Sequence, residues 1–152
     1  MFKRISACTI ALLMVLPSVS VAGPVEVAKE HVAQGAKELK RAKRMRGKRK
    51  VKALTKGLKS YSAAYKLIKS RRLENDAPDL LESISRQIKE TGNQPEIRKL
   101  RQEVRAKAIA ATEAGKYSEA YDQFEQLRDL DPRDSSIEYA MRVIVSHLPE
   151  DQ

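Results

Sequence analysis

Between Val51 and Ile68 the apolar residues Val51, Leu54, Leu58, Tyr61, Tyr65 and Ile68 recur at steps of three, four, three, four and three. Side chains at that spacing share one side of an α-helix, whereas a strand would alternate its faces every second residue. A helix with one narrow apolar stripe gains most of its stability by laying that stripe against a partner. The chain must therefore supply other helices to cover it, and the same rhythm recurs along most of its length.

A first helix is expected from about Val25, with Val25, Ala28, Val32, Ala36, Leu39 and Ala42 as its stripe. Half of those positions are alanine, so the stripe is thin and needs a neighbour. Arg46-Gly47-Lys48-Arg49-Lys50 carries no apolar residue and reads as a hinge or frayed link before a second helix at about Val51–Ser70. One continuous helix through Gly47 also fits, because Lys and Arg are good helix formers. Asn75-Asp76-Ala77-Pro78-Asp79 supplies cap and breaker residues for a third helix, with Pro78 early in it. That helix carries Leu80, Ile84 and Ile88 and stops at Gly92.

A fourth helix starts at Pro95, with Glu96 at the positive end of its dipole. Its stripe is Ile97, Leu100, Val104, Ala108 and Ala111, and Gly115 closes it in left-handed geometry. A fifth turns Tyr117, Ala120, Phe124 and Leu127 inward. After Asp131-Pro132-Arg133-Asp134, a last helix at about Ser135–Leu148 carries Ile137, Met141, Ile144, Val145 and Leu148, and Pro149 ends it. Nothing reads as a strand. The expected fold is all-α: antiparallel helical hairpins in a short solenoid or bundle, led by a long basic N-terminal helix.

Residues 1–22 read as a secretory signal peptide of the Sec type. Lys3 and Arg4 precede an apolar run from Ile5 to Leu16, and Ser20 and Ala22 set small residues before a cut at Gly23. The run falls short of the roughly 20 residues that a bilayer core requires, which argues against an uncleaved anchor. Ile5-Ser6-Ala7-Cys8 superficially resembles a lipoprotein processing box, but the apolar run follows Cys8 instead of preceding it. Cleavage at Gly23 leaves about 130 residues, one ordinary small domain, without cysteine. Disulfide staples, thiolate zinc sites and thiol nucleophiles are then excluded. The expected organisation is a signal peptide at 1–22, a basic amphipathic helix and hinge at 23–50, a helical domain at 51–148 and a tail at 149–152. The expected location is periplasmic or secreted.

Charge is unevenly spread. From Gly23 to Asp76 there are 17 Lys and Arg against 5 Asp and Glu, whereas Ala77 to Gln152 carries 11 against 15. The densest block, Lys37–Lys59, holds 12 cations and a single acid, Glu38. Such a block is either a solvated face or a grip for polyanions. Its candidate polyanion-binding residues are Lys40, Arg41, Lys43, Arg44, Arg46, Lys48, Arg49, Lys50 and Lys52. It lacks the Trp, Phe and broad apolar face of a membrane-inserting helix, so electrostatic tethering is the expected mode.

Catalytic chemistry is thin. His31 and His147 are the only histidines, on distant helices and without Cys, His or Asp at metal-ligand spacing. No His-Glu-x-x-His, Gly-x-Ser-x-Gly or phosphate-cradling Gly loop occurs. Asp129 and Asp131 stand at a helix end, where turn and cap duty accounts for them. Tyr61 and Tyr65 follow the basic block but lie on the apolar stripe, which makes them core residues before stacking platforms. No catalytic residue, metal or cofactor is expected, and nucleic acid is disfavoured by export.

From Gly115 to Pro132, Ala120 and Phe124 stand four residues apart, Pro132 follows Phe124 by eight, and Gly115 and Tyr117 mark the preceding turn. This spacing resembles the second helix of a tetratricopeptide repeat. In the preceding helix Val104 stands where that family often has Trp, Lys107 where it has Leu, Ala108 where it has Gly and Ala111 where it has Tyr. Tyr61, Ala64 and Ile68 echo Tyr117, Ala120 and Phe124, 56 residues earlier. The resemblance implies helical pairs that bind partners without chemistry of their own, the first helix of a pair lining a groove for peptides. That face would display Arg98, Gln102, Arg105, Ile109 and Thr112, with two guanidinium groups to clamp a partner's carboxylate. The expected function is a protein-binding adaptor or scaffold of the cell envelope, with a nucleic-acid- or polyanion-binding basic protein as the alternative.

Overall fold

A computed structural model describes residues 23–148; residues 1–22, the expected signal peptide, and the expected tail at 149–152 lie outside the described residues. The described chain forms six α-helices: α1 (Pro24–Ala42), α2 (Gly47–Ser70), α3 (Pro78–Gly92), α4 (Pro95–Glu113), α5 (Tyr117–Leu130) and α6 (Ser135–Val145). Among the described residues there is no strand, so the all-α expectation holds.

The turns follow from local chemistry. Pro24, Pro78 and Pro95 open α1, α3 and α4, where a missing N–H costs nothing. Gly115 takes φ +70° after α4. There the Lys116 N–H donates to the Ala111 carbonyl at 2.9 Å and the Gly115 N–H to that of Thr112 at 3.0 Å, a Schellman motif. The same pair of bonds closes α2, from Leu73 to Ile68 and from Arg72 to Lys69, but with Arg72 at φ 55° in place of glycine. Asp134 caps α6 by accepting from the Ser136 amide at 3.1 Å.

Four expectations are corrected here. The break between the first two helices is the turn Lys43–Arg46, and Gly47–Lys50 is already the first turn of α2. Lys and Arg propensity carries the helix where charge repulsion suggested fraying. Ala77, not Asn75 or Asp76, is the N-cap of α3, and no side chain caps it. The sixth helix ends at Val145 instead of Leu148. Ala36 is exposed, and Gly35 takes the seam position beside it.

Gly35 is what lets α1 and α2 meet. A methyl group built there would stand 2.7 Å from the Tyr61 ring and 3.2 Å from the Gly57 carbonyl. One built on Gly57 would stand 2.6 Å from Leu39 and 3.3 Å from the Gly35 carbonyl. The two backbones are thus in direct contact. Ala28, Ala42, Ala53 and Ala64, all buried, extend the seam on either side of the glycines.

The main core joins Leu54, Leu58, Tyr61 and Ile68 of α2 to Ile84 and Ile88 of α3, Ile97 of α4 and Leu130 of α5. Each such buried aliphatic contributes about 1.5–3 kcal/mol. A second cluster joins Val104, Leu127, Ile137 and Met141, with Leu100, Tyr121 and Phe124 packed against it. A third joins Ala111, Ala120 and Ile144, flanked by Tyr117 and Phe124. Tyr117, Ala120 and Phe124 therefore face α4 and α6, as their spacing requires. α2 is the central element: α1 lies along one side of it, and α3, α4 and α5 pack elsewhere on it.

Candidate functional site

The α1–α2 turn gathers the basic block at one end of a helical hairpin. Lys40, Arg41, Lys43, Arg44, Arg46, Lys48, Arg49 and Lys52 are all exposed there. Arg41 reaches the nearly buried Glu38 only at 4.0 Å. Lys50 departs from the expectation. Its ammonium donates to Glu96 Oε1 at 2.6 Å, which ties the start of α2 to the start of α4 and takes Lys50 out of the free cation set. That hydrogen bond holds the Glu96 carboxyl below its usual pKa. The other oxygen, Glu96 Oε2, is shielded from solvent and has no donor among the described residues.

The hairpin sorts the remaining cations onto two faces, which the sequence does not reveal. Lys40, Lys43, Arg44 and Arg46 line a cleft of about 1220 Å³ between the turn and α3. Arg41, Arg49, Lys52 and Lys56 border a smaller groove of about 330 Å³ on the other side. Met45 lies between the two and touches both. Among the described residues, Lys40, Lys43, Arg44, Arg46, Lys48, Arg49, Lys52 and Lys56 have no carboxylate within 4.0 Å.

The face of α4 expected to dock a peptide is different in character. Arg98, Gln102, Arg105 and Ile109 are exposed there, Ile109 by 47%. Arg105, however, is engaged: its guanidinium donates to Asp134 Oδ2 at 3.0 Å. The Thr112 hydroxyl donates to the Ala108 carbonyl at 2.8 Å and is likewise satisfied within its own helix. A two-arginine clamp is therefore not assembled. Arg98 remains, with Gln102 and Ile109 beside it.

The acids near the end of α5 do more than cap. Asp129 is bonded by Lys66 at 2.8 Å and lies 3.3 Å from Lys59, while the Ser62 hydroxyl donates to the Asp129 carbonyl at 2.7 Å. These bonds pin α5 to α2. Burial works to raise the Asp129 pKa, yet the two ammonium groups outweigh it and hold the carboxyl low. Asp131 is gripped by Arg133 at 2.8 and 2.9 Å, and Arg133 also donates to the Ser85 carbonyl at 3.1 Å. The α5–α6 loop is so fixed to α3. At Asp134 burial is again overruled, by the Ser136 hydroxyl and amide and by Arg105.

Among the described residues no three His, Asp or Glu side chains gather as metal ligands, and no helix is long and apolar enough to cross a membrane. His147 stacks on Tyr117 with ring centres 4.9 Å apart, far along the chain from His31. Comparison with known proteins yields no matching family model, no matching curated protein and no matching solved structure.

Proposed function

We propose that this chain is a non-enzymatic protein-binding adaptor or scaffold of the cell envelope. The tip of the α1–α2 hairpin rests on an anionic surface, and the helices behind it, packed in the manner of tetratricopeptide pairs, dock a partner protein. The envelope location rests on the signal-like composition of residues 1–22.

The observation that carries this reading is a group of eight cations, gathered on one hairpin, that have no carboxylate partner among the described residues. Crowding like charges destabilises a folded chain through self-repulsion. Cations placed for stability would alternate with acids, as they do elsewhere in this molecule at Lys59, Lys66 and Asp129. A block left unpaired is available to an external anion. A layer of anionic headgroups is held by such cations electrostatically, without apolar insertion.

Sedimentation with vesicles containing anionic phospholipid tests the reading. The mature chain is expected to pellet with them at low ionic strength and to be released as the Debye length falls from roughly 30 Å at 0.01 M to roughly 3 Å at 1 M salt. Salt-insensitive retention counts against it. The same cations also support the second reading, a polyanion-binding basic protein. A chain found in the cytoplasm with residues 1–22 intact favours that alternative.

A further inference from the structure

The cleft beside the hairpin tip has a composition that a flat anionic surface does not need. Its α1–α2 wall carries Lys40, Lys43, Arg44 and Arg46, and Leu39 and Met45 add apolar surface. The opposite wall, from α3 and the α3–α4 turn, is polar and mostly uncharged, with Ser83, Gln87, Thr91 and Gln94. Glu90 and Glu96 also line the cleft.

We propose that this cleft takes an extended acidic segment of a partner protein, one that presents apolar side chains among its carboxylates on the same side. The inference deepens the protein-docking half of the function proposed above and moves the docking site from the α4 face to the cleft. On the α1–α2 wall the segment's carboxylates meet Lys40, Lys43 and Arg44 while its apolar side chains meet Leu39 and Met45. Glutamine amides can both donate to and accept from a peptide backbone. Glu90 distinguishes this occupant from a phosphate polymer or a lipid surface. A uniformly anionic ligand is repelled by it, whereas a peptide can present backbone N–H groups to it; Glu96 is already paired with Lys50.

Two triple variants with the same change in net charge separate a built site from general attraction. Lys40→Ser/Lys43→Ser/Arg44→Ser strips the cleft, and Arg49→Ser/Lys52→Ser/Lys56→Ser strips the opposite groove. All six side chains are exposed, so both variants are expected to retain the helical signal and melting temperature of the parent. The probe is a fluorescein-labelled decapeptide in which Glu-Glu and Leu-Leu pairs alternate, so that each side of the extended chain carries both residues, read by fluorescence anisotropy in about 0.15 M salt. The cleft variant is expected to bind it about tenfold more weakly and the groove variant less than about twofold more weakly. Replacing the Leu residues of the probe by Ser is expected to abolish the difference between the two variants. Equal weakening in both overturns the proposal, as does no measurable binding by the parent chain. Vesicle sedimentation of the same proteins reports the surface tether separately. Vesicle binding without peptide binding therefore defeats the cleft alone, and the converse defeats the tether alone.

Discussion

The α1–α2 hairpin and the α4–α5–α6 group are both antiparallel helical packings, yet they are held together by opposite means. In the hairpin, Gly35 and Gly57 remove the side chains between the helices, and the backbones touch. In the C-terminal group, Phe124, Tyr121, Leu127 and Met141 fill the space between the helices. The first arrangement depends on having nothing at two positions. The second depends on having the right volume at several. The hairpin's outer surface is crowded with cations that have no carboxylate partner among the described residues. The C-terminal group spends its charged residues on internal ties such as Arg105–Asp134 and Arg133–Asp131.

The difference can be tested from both sides. Leu127→Ala opens a cavity in the side-chain-filled group, and its fully buried site implies a loss of about 3 kcal/mol in chemical denaturation. Gly35→Ala adds volume where there is none to spare, and overpacking against Tyr61 implies a loss of about 2 kcal/mol. Alanine is the better helix former by about 1 kcal/mol, so a neutral or stabilising result would show that the backbone contact is looser than described. Ser62→Ala removes the donor to the Asp129 carbonyl at the junction of α2 with α5. The expected loss is about 1 kcal/mol, measured the same way, because the carbonyl is left without its partner.

Acid gives the gentlest probe. Asp129 and Asp134 are held below the ordinary carboxylate range, so the folded chain favours their ionised forms. The stability they contribute is present above the unfolded value of about 3.9 and is lost as pH falls through the lower folded values. A denaturation series from pH 5 downward should show stability declining below about pH 4. Asp129→Asn and Asp134→Asn should each flatten that decline. Hydrogen exchange should show α5 and α6 loosening before the glycine seam of α1 and α2.

Much of the fold is legible in the sequence because stripes report helices directly. The α4 positions Ile97, Val104, Ala108 and Ala111 are all buried, as their spacing requires. Gly115 and Pro95 mark their turns for reasons that act within a few residues. The glycine seam is invisible to a reading of hydrophobic stripes, because glycine has no apolar side chain to mark it. It was nonetheless visible as small residues seven apart, Ala28, Gly35 and Ala42 on α1 and Gly57 and Ala64 on α2. Two helical turns return such residues to one side. The engagement of Arg105 by Asp134, and of Lys50 by Glu96, was beyond reach. These partners lie 29 and 46 residues apart on separate helices, and only tertiary packing brings them together. The division of the cations between a cleft and a groove has the same origin.

The meeting of Gly35 with Gly57 has a mechanical consequence. Each backbone sits in the notch that the other glycine leaves, so sliding one helix along the other by a turn would drive Leu39 or Tyr61 into main-chain atoms. The alignment is keyed, not merely greased by hydrophobic contact. The turn at Lys43–Arg46 inherits that fixity, and the ammonium and guanidinium groups around it stand on anchored bases at preset spacing. Any anion that fits them meets a template already cut to shape.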